Sequence, residues 1–106
     1  ADEAIKANAI HARQIAKQHE CAIFYMSQLS ADAENKVLLN QAMMEGSRTG
    51  KAAEADLMIL IAKNPPVEGQ EEEDTQRHLN VVKNKLSGWH GIVHCELNYR
   101  TARYEV

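Results

Sequence analysis

The chain has 106 residues, 44% of them apolar and 25% charged, with a formal net charge of −3. That is enough for one domain, residues 1–106, with a single modest core, and the composition is that of a folded protein rather than a disordered tail. The negative balance gives no global attraction for nucleic acid, so such binding must rest on a local patch, and no apolar run approaches the roughly 20 residues that span a bilayer.

No signal-peptide pattern is present, so the reading is a cytoplasmic protein without a membrane partner. The chain lacks an initiator Met and starts almost inside a helix, which hints at a piece of something longer. Asp2 is placed to cap a helix over Glu3 to His19, where Ile5, Ala9, Ala12 and Ala16 recur at helical spacing and Lys6, Arg13 and Lys17 lie off the stripe. Cys21 to Met26, CAIFYM, is a nearly continuous apolar run with aromatic and β-branched members. It reads as a strand buried on both faces. Gln28 follows at its carboxyl end, where ligands bind in α/β sheets. On position alone it is equally a ligand contact or a residue leaving the core.

Ser30 to Gly50 is polar and turn-rich, with a short helix expected near Asn35 to Met44. Gly46-Ser47-Arg48-Thr49-Gly50-Lys51 is a small basic loop. It is not a Walker motif, because the glycine spacing is too short and Ala52 follows the lysine. With Arg48 and Lys51 set beside Gly46 and Gly50, it is either a nucleic-acid backbone contact or a solvated loop. A short helix over Lys51 to Ala55 leads into Leu57 to Ala62, LMILIA, a second buried strand stopped before Pro65-Pro66. An acidic connection containing Glu71-Glu72-Glu73-Asp74 follows.

Leu79 to Lys85 then alternates across a pleat, with Leu79, Val81, Lys83 and Lys85 on one face and Asn80, Val82 and Asn84 on the other. Ser87 to Gly91 supplies a turn and Ile92 to Leu97 the returning strand of a hairpin, with a short edge strand over Arg103 to Val106. Lys83 and Lys85 project together. A pair of parallel ammonium groups suits a phosphate chain, and the plainer alternative is a solvated strand end. Cys21 and Cys95 read as small buried hydrophobes, and His90, His94 and Cys95 do not converge on one strand face, so no metal is assigned.

Taken in order, these features resemble the second half of a RecA-fold ATPase, the group of RecA and RadA recombinases and DnaB-type helicases. Val81-Val82-Lys83-Asn84-Lys85 resembles the segment whose lysines reach the neighbouring subunit's nucleotide. Met26-Ser27-Gln28-Leu29 is similar to the strand carrying the nucleotide sensor. Gly46 to Gly50 followed by Glu54-Ala55-Asp56-Leu57 resembles the DNA-contacting loop, short helix and next core strand. The opening helix resembles the one after the Walker B strand.

The fold this implies is α/β: a partial RecA-like sheet of the P-loop ATPase type, with flanking helices and a C-terminal antiparallel hairpin or meander. Neither Walker A nor Walker B is in the sequence. The resemblance therefore implies a C-terminal fragment of a DNA recombination and repair ATPase or a replicative helicase, inactive alone, with ATP and Mg in the parent protein only. Lys83 and Lys85 act in trans in this reading, Gln28 senses the γ-phosphate, and Gly46, Arg48, Gly50 and Lys51 meet single-stranded DNA in a homo-oligomer. The alternative from another class is a non-catalytic self-association or protein-interaction module, pairing through its hairpin and sheet edge.

Overall fold

The computed structural model describes residues 2–43, 54–70 and 73–106. Helix α1 runs Asp2–His19. It stops because Glu20 turns left-handed, at φ 51, and the Cys21 N–H donates back to the Ala16 carbonyl at 3.1 Å, which closes the last turn. Ala9, Ala12 and Ala16 are half-buried as their spacing implies, together with Ile10, Arg13 and Ile15.

The strand expected over Cys21 to Met26 does not form. Residues 21–28 belong to no helix or strand and are exposed, with Phe24 93% and Met26 94% accessible. A strand buried on both faces needs a paired neighbour and a covering layer on each side, and the described residues give this segment neither. Cys21 is accordingly exposed rather than buried.

From Leu29 to Met43 the chain forms a cover over the sheet instead of a helix. Two 3-10 turns, Ala31–Ala33 and Gln41–Met43, are tied by the Ser30 N–H donating to the Met43 carbonyl at 2.6 Å. The sheet has four strands in sequence order: β1 Leu57–Lys63, β2 Gln76–Asn84, β3 Gly91–Asn98 and β4 Arg103–Glu105. Every neighbouring pair is antiparallel. The fold is therefore mixed helix and strand, with an antiparallel meander. No parallel pairing of the RecA type occurs among the described residues.

Leu57 to Ala62 is a strand, as its composition suggests, but it is buried on one face only. Met58, Leu60 and Ala62 face the cover and are 6–7% exposed, whereas Leu57, Ile59 and Ile61 on the other face are nearly half exposed. Leu39 completes the small core, with Leu29, Ala33, Met43 and Val82 packed around it. Polar links fix the cover to β2. Asn80 is 3% exposed and donates from Nδ2 to the Val37 carbonyl at 3.0 Å.

A bulge interrupts the β1–β2 ladder, where Met58 pairs with Lys83 but Ile59 pairs with Val81. Val82 is thereby left out of the register, and its carbonyl accepts from Gln41 Nε2 at 2.9 Å. No helix among the described residues is long and apolar enough to cross a membrane.

Candidate functional site

The end of β2 and the start of β1 form one corner, built on Asn84. Its Oδ1 accepts the N–H groups of Leu86 at 3.0 Å and Ser87 at 3.1 Å, and its Nδ2 donates to Ser87 Oγ at 2.8 Å. A short amide side chain thus replaces ladder bonds and bends the chain out of the strand. Gly88, at φ 80, sits where only glycine is unstrained. Lys83 is consequently the last lysine on the strand, and Lys85 is the first residue of the turn.

The strand ends at Asn84, between the two lysines, so Lys83 is placed by the ladder and Lys85 by the turn. They remain electrostatic neighbours. Burial pushes the Lys83 ammonium below its ordinary value of 10.5, repulsion from Lys85 adds to this, and Asp56 gives partial relief. Lys83 is half-buried and Lys85 exposed.

Asp56 joins the corner from the β1 side. Its carbonyl accepts the Lys85 N–H at 2.8 Å. Its carboxylate accepts from Arg13 Nη1 at 3.0 Å, and the same nitrogen donates to the Glu54 carbonyl at 3.0 Å. The Arg13 hydrogen bond, and then its charge, hold the Asp56 carboxyl below its usual 3.8, with further help from Lys85 and Lys83. Three cations, Arg13, Lys83 and Lys85, therefore share the carboxylates of Asp56 and Glu54. The two ammonium groups repel each other, so an anion brought here would relieve the repulsion.

Sequence reasoning found Lys83 and Lys85 but missed Arg13 and Asp56 as members of this site. Arg13 lay off the apolar stripe, and no local pattern shows that it reaches residues 41 and 43 positions away. Gln28, expected at the end of a buried strand, lies on the exposed segment, where no strand ends. Gly46, Arg48, Gly50 and Lys51 lie outside the described residues. A shallow groove also opens between the cover and the sheet, bounded by Leu39, Gln41, Asn80, Val82, His90 and Ile92. Among the described residues no three His, Cys, Asp or Glu side chains cluster as a metal centre.

No family model matches the chain, and neither a curated protein nor a solved structure matches it.

Proposed function

We propose that this chain is the C-terminal part of a RecA-like, DNA-dependent ATPase, from a recombination and repair protein or a replicative helicase. It supplies a cationic corner that acts on a phosphate chain held by a neighbouring subunit. The observation that carries this reading is the pair Lys83 and Lys85 held either side of the end of β2 despite mutual repulsion, with the Asp56 carbonyl holding the Lys85 N–H and Arg13 bonded to the Asp56 carboxylate. In the parent protein, ATP and Mg are seated by Walker elements outside this chain. Lys85, which is exposed, stabilises charge on the transferring phosphoryl group, while the half-buried Lys83 raises the local potential.

Gln28 as a γ-phosphate sensor and the Gly46 to Lys51 loop as a single-stranded DNA contact belong to the same proposal. The exposed apolar run Cys21 to Met26 supports it, because a strand composition left exposed is what remains when the covering neighbours belong to the rest of a larger core. By itself this chain neither hydrolyses ATP nor seats it well.

A second reading is a non-catalytic self-association module. The exposed residues Ile23, Phe24, Tyr25 and Met26 favour it, since an uncharged apolar run of strand composition left open is a place for another copy to pair. ATP hydrolysis by the full-length protein, with and without single-stranded DNA, separates the two. DNA-stimulated turnover supports the ATPase reading. Absence of turnover, with concentration-dependent assembly of this chain and no response to DNA, supports the module.

A further inference from the structure

At the far end of the sheet from the lysines, two histidines meet across the β2–β3 ladder. His78 and His94 are register partners, and their Nδ1 atoms lie 2.7 Å apart. His78 is 5% exposed and His94 is open to solvent. The rings stand nearly perpendicular, at 83°.

Hydrogen-bond bookkeeping fixes the protons. Asn64 Nδ2 donates to Gln76 Oε1 at 2.9 Å and also serves the Asp74 carboxylate, which can only accept. Asn64 therefore turns Oδ1 toward His78, 2.8 Å from Nε2, and His78 Nε2 must carry the hydrogen that is donated there. In neutral His78 this leaves Nδ1 as the bare nitrogen, aimed at His94. An imidazole held at one nitrogen by an amide or carboxylate partner, with the other nitrogen free, is the arrangement that orients a metal-ligating histidine.

We propose that His78 and His94 form a two-histidine site for a late first-row divalent cation of the Ni2+ or Cu2+ type, with water in the remaining positions. The ligand set selects the class: imidazole nitrogens with water in the other positions suit Ni2+ and Cu2+, which bind such donors more strongly than earlier divalent ions, whereas zinc sites use three or four protein ligands. The 2.7 Å between the nitrogens is the hydrogen bond of the metal-free pair, and a cation about 2.0–2.1 Å from each nitrogen separates them by about 2.9 Å at a right-angled cis site. To bind, His94 moves its proton to Nε2, on the solvent side, and the hydrogen bond between the rings is replaced by two N–metal bonds. His94 has room to turn because it is exposed, whereas His78 stays anchored by Asn64. The charged groups around the pair include the half-buried Asp74, whose carboxyl is held below its usual value by the Gln76 N–H and Asn64. Glu96 is two residues along the same strand face from His94. Both carboxylates favour a cation.

The test is a titration of this chain with Ni2+ alone, followed by NMR of the imidazole protons of all five histidines. His78 and His94 are expected to broaden together at the lowest Ni2+ concentrations, before His11, His19 and His90. His94→Ala, at an exposed position, is expected to weaken binding at least ten-fold without changing the fold. Asn64→Ala, which frees the His78 ring, is expected to weaken it about ten-fold or more. Uniform broadening of all five histidines, or unchanged Ni2+ affinity in His94→Ala, would overturn the site.

Discussion

The side-chain carbonyl of Asn80 accepts the backbone N–H of Leu39 at 3.0 Å, in the buried middle of the molecule and 41 residues away in sequence. This bond, with the one from Asn80 to Val37, holds the cover of residues 29–43 on the sheet and seats Leu39 among Met58, Leu60 and Ala62. Replacing Asn80 by Ala strands a buried N–H, which costs about 1–3 kcal/mol beyond any packing loss. The expected outcome is a melting temperature several degrees lower, with loss of protection at the Leu39 amide. An unchanged melt would mean that the cover is not held from β2.

Phe24 and Met26 test the exposed segment. Because both side chains are over nine-tenths accessible, Phe24→Ser and Met26→Ser are each expected to alter stability by no more than about 0.5 kcal/mol. A buried Phe would lose about 3–5 kcal/mol on truncation, so chemical denaturation of Phe24→Ser distinguishes the exposed segment from a buried strand. Light scattering on the same variants shows whether the segment also drives self-association.

Lys83 carries a folded-state penalty. Its pKa is lowered by burial first and by Lys85 second, so between that lowered value and the usual 10.5 the unfolded chain binds more protons. Stability attributable to this residue therefore rises with pH through that window, and below it the penalty is present in full. Lys83→Met is expected to melt no lower than the parent at neutral pH, with the difference shrinking at alkaline pH. A drop of more than about 4 °C, roughly 1 kcal/mol, would show that the ammonium is stabilising where it stands.

Arg13 and Asp56 tie α1 to the start of β1. The Asp56 carboxyl is depressed below 3.8, so its contribution is present above that value and is lost as pH falls through the lowered folded pKa. An NMR titration of the Asp56 carboxyl carbon should give a midpoint under 3.8, returning to the ordinary value in Arg13→Ala. In that variant the amides of α1 are expected to exchange far faster, because a lone helix of 18 residues is marginal in water. A midpoint at or above 3.8 in the parent chain would remove the tie.

Much of this was legible in the chain. Alanine spacing marked α1, β-branched composition marked Leu57 to Ala62, and turn residues marked the hairpin whose strands are Gln76–Asn84 and Gly91–Asn98. Local pattern failed where burial depends on a partner. Cys21 to Met26 has the composition of a doubly buried strand, yet composition states only what would gain from burial and not whether a neighbour exists to provide it. Alternation likewise placed Lys83 and Lys85 together but could not show that Asn84 folds its own side chain back and ends the strand between them. Nothing local in the sequence marks Asn80 or His78. Their roles rest on contacts with Leu39, Asn64 and His94, which only the tertiary fold brings near.

The central claim is that Lys85 acts on a neighbouring subunit's phosphates in a longer protein. The most direct measurement is the effect of Lys85→Ala in the full-length protein on both kcat for ATP hydrolysis and nucleotide Kd. A residue that acts on the transferring phosphoryl group should cost kcat at least a hundred-fold more than it costs affinity, about 2.7 kcal/mol confined to the transition state. Equal loss in both, or none in either, would contradict the claim and leave Lys83 and Lys85 as the solvated end of a strand.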